Sequence, residues 1–186
     1  HLAVPIAPIV ADDFRGLLPD NAPLRVAFCG HADHGRMRHL CVLRREFETD
    51  FVIRAGFWAP EVPSRADARE QYLRNVAGSL YTFCHRGAGN FSYRLYETLM
   101  MGRVPVLINT GCALPWEDEL RACCVIVDDP RHLVNDLRQF HETRRAALAQ
   151  AECRALWLRR FSCTGYLNGL IETYRTWSEA RRTLST

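Results

Sequence analysis

Short apolar runs alternate along this chain with segments whose apolar residues recur every three or four positions, and that alternation leaves few folds open. Residues 24–29 (LRVAFC) form a run ending at Gly30, the mark of a buried strand entering a turn. Residues 35–48 carry Met37, Leu40, Cys41, Leu43 and Phe47 at helical spacing, and residues 51–53 are a short second strand. A proline-rich loop over 57–64 leads to a helix over 66–77 with Tyr72, Leu73 and Val76 turned inward. Residues 80–84 are a third strand. A helix over 91–101 follows, with Phe91, Leu95 and Leu99 on one face, and stops at Gly102, a residue suited to the position after a helix end. Residues 104–108 and 123–127 are the fourth and fifth strands. Asp128 and Asp129 before Pro130 open a helix that carries Leu133, Val134, Leu137 and Phe140, and helices over about 145–160 and 165–180 close the chain.

Strands alternating with helices predict an α/β, Rossmann-like doubly wound fold: a mostly parallel sheet of about five strands with helices on both faces. Right-handed crossovers set the first strand beside the third, and the ligand crevice opens at their C-terminal ends, between loops 30–35 and 86–90. Residues 1–23 read as an N-terminal extension or linker, and 24–186 as the domain, since 186 residues suit a single domain.

Composition narrows the partners. A net charge of +3 gives no reason to expect nucleic acid or a membrane surface. No apolar run reaches the roughly 18 residues of a spanning helix, and the first residues lack the build of a signal peptide. The chain is therefore expected to be cytoplasmic, with any membrane association supplied by another part of a longer polypeptide. The start at His1 suggests that such a polypeptide exists. All 24 basic residues are arginine, so a bound phosphate must be held by guanidinium forks and backbone amides. Eight cysteines show no paired or zinc-like spacing, and Cys29, Cys84, Cys123 and Cys124 fall in apolar runs. They are expected to be free core thiols. His31, His34 and His39 have no carboxylate or cysteine at matching spacing, and no metal is expected.

The segment HRGAGNFSYRLYE (residues 85–97) is the sharpest local feature. Gly87, Gly89 and Asn90 stand between a strand end and a helix start, where backbone amides can come close to a ligand. The helix start adds unpaired N–H groups and partial positive charge, Arg86 and Arg94 add donors, and Ser92 adds a hydroxyl. The same spacing also fits a plain glycine turn before a helix on which Arg94 and Glu97 pair at i,i+3.

Taken together, several stretches resemble the exostosin-type glycosyltransferases. They are Arg86–Gly87, with Phe83 displaced from the family's position, Ser92–Tyr93–Arg94–Leu95–Tyr96–Glu97, Gly102–Arg103–Val104–Pro105–Val106 and Leu114–Pro115. Phe28–Cys29–Gly30 followed by Arg36 and Arg38 is similar to the family's opening strand. The likeness spans residues 24 to about 130, with its signature in 83–118. It implies the C-terminal half of a GT-B architecture, the half that holds a nucleoside diphosphate sugar such as a UDP-sugar. By this resemblance Arg94 meets the diphosphate and Glu97 the ribose hydroxyls, with Gly30, Arg36, Arg86 and Ser92 nearby. It further implies inverting transfer of the sugar to a glycan or other hydroxyl acceptor. Arginines and a helix dipole would stabilise the diphosphate leaving group without a metal. The stretch before Leu24 is too short for the family's acceptor domain, which another part of the polypeptide would supply. No residue stands out as the general base, although Asp33, His31 and His34 share the first loop. Asp118 is read either as a sugar contact or as an exposed acid at a helix start, and Trp116 as a ring beside the cleft. A domain that binds a nucleotide or phosphosugar without transfer is the alternative reading.

Overall fold

A computed structural model describes residues 11–33, 35–56 and 61–183. Five strands form one sheet in the order β2-β1-β3-β4-β5: β1 (Arg25–His31), β2 (Glu48–Arg54), β3 (Tyr81–Cys84), β4 (Val104–Ile108) and β5 (Val125–Val127). Every pairing is parallel. The helices are α1 (Arg36–Glu46), α2 (Arg65–Ala77), α3 (Tyr93–Met100), α4 (Glu117–Cys123), α5 (Leu133–Thr143), α6 (Ala146–Leu156) and α7 (Cys163–Thr183). A π-helical turn, Trp157–Phe161, joins the last two. Right-handed crossovers put α1 on one face and α2, α3 and α4 on the other. The packing agrees, with α1 against α5, and both α3 and α4 against α6. The chain is a Rossmann-like α/β domain. Among the described residues no helix is long and apolar enough to cross a membrane.

Local chemistry explains the element ends. Every residue of β4 is buried, as expected for a strand with neighbours on both sides and helices on both faces. Its Pro105 has no N–H to give. Val104 donates to Leu80 O of the β3 side at 3.0 Å, so the alternation of a parallel strand turns Pro105 toward β5, where pairing begins only at Val106. Helix α3 ends in a Schellman motif: Arg103 N donates to Thr98 O and Gly102 N to Leu99 O, both at 3.0 Å, with Gly102 at φ 60°. Gly102 thus has the role that its place in the sequence implied.

Residues 16–24 lie against the N-terminal end of the sheet and are tied to it, while Asp13 and Arg15 pair with Arg69 and Glu70 of α2. Gly16 O accepts from Arg103 at 2.9 Å, and Gln150 bonds both the N–H and the carbonyl of Leu18, at 2.7 and 3.0 Å. Asp20 accepts from Ala147 N at the start of α6 at 3.0 Å and pairs with Arg145.

Two expectations change. Strand β2 is longer than 51–53 and begins at Glu48, which the helical reading had taken in. Residues 117–122, not assigned to any element, form α4, which also takes in Cys123 from the expected fifth strand. Part of the expected 57–64 loop lies outside the described residues.

Candidate functional site

Gly30, the penultimate residue of β1, has a φ of 150° that suits a residue without Cβ, and a Cβ there would lie 2.8 Å from Arg94 Nη2. Arg94 uses that space. From the first turn of α3 it donates to Cys29 O at 2.8 Å, and its guanidinium lies 4.5 Å from the Phe28 ring centroid. Arg36, in the first turn of α1, donates to His31 O at 2.6 Å, to Asp33 Oδ1 at 2.9 Å and to Arg86 O at 2.7 Å. One guanidinium therefore fastens the loop after β1 to the loop after β3.

These side chains form a positive cluster at the C-terminal ends of β1 and β3. Burial lowers the pKa of Arg36, and the guanidiniums of Arg94 and Arg86 lower it further, with only Asp33 opposing them. Arg86 makes no side-chain hydrogen bond or ion pair with a described residue. The Nε groups of Arg36 and Arg94 are both buried without an acceptor among the described residues. Each is an N–H whose desolvation no described residue repays.

The turn before α3 holds the next four candidates. Gly87 N donates to Phe91 O at 2.8 Å, and a Cβ at Gly89 would lie 3.0 Å from the Phe91 ring. Asn90 exchanges two hydrogen bonds with Thr110 of the loop after β4, at 3.2 and 2.6 Å. Ser92 is buried at the N-cap of α3 and makes no side-chain cap bond there, so the helix start is left open. Phe91, expected to face inward, precedes the helix. It stands 43% exposed, edge-on to Tyr93 at 5.0 Å between centroids.

Glu97 is buried, which corrects the picture of a surface pair with Arg94. Its Oε2 accepts from Tyr72 Oη of α2 at 2.6 Å, while Oε1 accepts nothing among the described residues. Burial raises the carboxyl's pKa, and the Tyr72 hydroxyl and Arg94 pull it back. The Tyr72 hydroxyl is held far up by its own burial and by Glu97. Periodicity marked Tyr72 only as inward. A buried phenol needs a partner, and that was the available signal.

Asp118 is not brought into this cluster. It stands exposed on the first turn of α4 without a hydrogen bond or ion pair to a described residue. Trp116, at φ 51°, packs edge-on against Phe161 and Tyr166 at 5.6 and 6.2 Å, so its ring is engaged between α4 and the chain's end. His31 faces Asp33 at 3.2 Å, and His34 lies outside the described residues. All eight cysteines are free, five of them buried.

His39 is buried instead with Phe83 and His85, at ring-centroid distances of 6.1 and 5.7 Å, and its Nε2 accepts from Arg38 at 3.2 Å. Burial, then Arg38 and His85, lower its pKa from 6.5 to about 4. The unfolded ring protonates as pH falls through 6.5, whereas the folded one does so only near 4, so stability must fall across that window. At a pH of about 5 this costs about 2 kcal/mol relative to pH 7, at about 1.4 kcal/mol per unit. Urea unfolding of the wild type and His39→Phe at the two pH values checks it; equal losses in both would show that His39 is not the source.

A hollow of about 490 Å³ lies at the other end of the sheet between residues 20–23 and 141–146, where Asp20 already caps α6. A ligand at the β1/β3 end must be received by arginines now folded onto backbone carbonyls. Set against known families and curated proteins, the chain matches no family model and no curated protein.

Proposed function

We propose that this domain binds the diphosphate of a nucleoside diphosphate sugar and serves as the donor-binding half of an exostosin-type glycosyltransferase. The observation that carries the reading is the cluster of Arg36, Arg86 and Arg94 at the ends of β1 and β3, three guanidiniums against the carboxylates of Asp33 and Glu97 among the described residues. A diphosphate supplies the missing negative charge, and its oxygens accept from the Nε groups that have no acceptor among the described residues. The uncapped start of α3 adds backbone donors and a favourable dipole. Glu97 Oε1 accepts from a ribose hydroxyl, and the exposed rings of Phe91 and Tyr93 offer a rim for the base.

As the diphosphate departs, charge builds on its oxygens, and fixed guanidiniums stabilise it without a metal. The sugar passes with inversion to a hydroxyl of a glycan or other acceptor, which a second domain of a longer polypeptide presents. One observation favours the alternative, a nucleotide- or phosphosugar-binding module without transfer. Asp33, the carboxylate nearest the cluster, is engaged by Arg36 and His31 rather than free to act as a base.

Calorimetric titration with UDP, GDP, ADP and CMP, each with and without EDTA, tests the reading. One diphosphate is expected to bind with an affinity that EDTA leaves unchanged. Binding of none, or binding abolished by EDTA, would overturn it.

A further inference from the structure

The end of the sheet away from the arginine cluster holds three thiols that periodicity did not group. Cys123 ends α4, and Cys124 follows in extended conformation on the way into β5. Cys153 projects from α6, the helix packed against α4. Their sulfur atoms all lie within 4.8 Å of one another, and those of Cys123 and Cys124 are 3.8 Å apart. All three residues are buried, at 3%, 3% and 0% exposure. Metal–sulfur bonds of about 2.3 Å, at angles between tetrahedral and trigonal, set two sulfurs roughly 3.8–4.0 Å apart. The cluster is therefore close to a binding geometry without backbone rearrangement.

We propose that Cys123, Cys124 and Cys153 form a three-sulfur site for a soft monovalent ion of the Cu(I) class, distinct from the nucleotide crevice. The donor set decides the class. Sulfur alone selects soft ions over magnesium, calcium or manganese. Among the described residues no histidine or carboxylate joins the group. Zinc closes its structural sites with a fourth protein ligand and its open sites with water, and these three residues are at most 3% exposed. Cu(I) is satisfied by three sulfurs.

The exchange balances simply. Three thiol protons leave to solvent, three copper–sulfur bonds form, and copper stays in the monovalent state. The guanidiniums of Arg144 and Arg159 lie near enough to Cys123 to favour negative charge on its sulfur. Those two guanidiniums offset part of the negative charge of the loaded site. Without an ion, Cys153 donates to Cys123 O at 3.2 Å and Cys123 to Glu119 O at 3.5 Å, and loading breaks both of these weak bonds. The ion ties the end of α4 to α6.

The test uses the whole chain with the exposed Cys41 and Cys163 and the half-buried Cys112 changed to Ser, reduced and kept anaerobic. Cu(I) is titrated against a chromogenic Cu(I) chelator, with Zn(II) in parallel, and refolding with Cu(I) present covers slow entry to a buried site. One Cu(I) per chain, three sulfur neighbours by X-ray absorption at the copper edge, and a raised melting temperature are expected. Cys153→Ala should lower affinity by more than about tenfold, the scale already seen when a supporting group near a metal is lost. Failure to hold Cu(I) against the chelator, two-sulfur coordination, tighter binding of Zn(II), or undiminished binding in Cys153→Ala each overturns the proposal. If Cys153→Ala does not fold, the stoichiometry and sulfur count on the unaltered cluster decide.

Discussion

Arg103→Met should destabilise the domain by about 3–5 kcal/mol, because several buried oxygens lose their donor at once, at about 1–3 kcal/mol for each left unsatisfied. Arg103 is 2% exposed, and its guanidinium donates to four backbone carbonyls and one side chain. Ala77 O accepts at 3.1 and 2.6 Å, Gly16 O at 2.9 Å, Met101 O at 3.0 Å, Gly102 O at 3.2 Å and Gln150 Oε1 at 3.3 Å. Burial lowers its pKa to about 10, so the side chain stays charged at neutral pH and every N–H remains a donor. Methionine fills much of the volume and supplies none of those bonds. The carbonyls at the ends of α2 and α3 and in the N-terminal stretch then lose donors together, at about 1–3 kcal/mol for each group left unsatisfied. Water entering the gap recovers part of this. Lysine in its place has three donors on one nitrogen and cannot span carbonyls that a planar fork reaches. Urea unfolding measures the loss; a change below about 1 kcal/mol in Arg103→Met would mean that these carbonyls find other donors and that Arg103 is not the pin holding α2, α3 and the N-terminal stretch together.

What could be read along the chain, and what could not, divides by the range of the interactions that decide it. Residues 104–108 were legible because five consecutive buried positions follow a glycine that ends a helix, all of it local. The parallel α/β order followed from the alternation of strands and helices. Strand β2 was under-read because it lies at the sheet edge, where Glu48, Thr49 and Asp50 sit in a strand with a neighbour on one side only. Helix α4 was missed because seven residues with three acids show too little periodicity. The site's residue types were legible but its contacts were not. Arg94 meets Cys29 O across 65 residues, Arg36 meets Arg86 O across 50, and Tyr72 meets Glu97 across 25. Cys123 and Cys153 stand 30 apart, so a search for short cysteine spacings passes over them. No spacing rule spans such separations, because the sheet order brings those residues together.

The burial of Glu97 also changes which substitution tests the nucleotide reading. On an exposed i,i+3 pair, Glu97→Ala would leave stability nearly untouched, since such a pair contributes only about 0.2–0.5 kcal/mol. In the observed setting alanine strands the Tyr72 hydroxyl, at about 1–3 kcal/mol, and lost folding would obscure lost binding. Glu97→Gln avoids this. Its amide oxygen still accepts from Tyr72, and a neutral group relieves the burial that already holds the carboxyl's pKa up. Stability should change by less than about 1 kcal/mol, while an amide in place of a charged acceptor for ribose should weaken nucleotide binding by about 1.5–3 kcal/mol, roughly 10- to 150-fold. Arg94→Lys should weaken it on a similar scale although the charge is kept, because an ammonium cannot donate to Cys29 O and present a planar fork to a diphosphate at once. If Arg94 and Glu97 serve the fold alone, both variants will leave nucleotide affinity where it was, whatever Arg94→Lys does to the melting temperature. Affinity lost with the fold intact is the pattern that a ligand role requires, and unchanged affinity in both variants would remove Arg94 and Glu97 from the site.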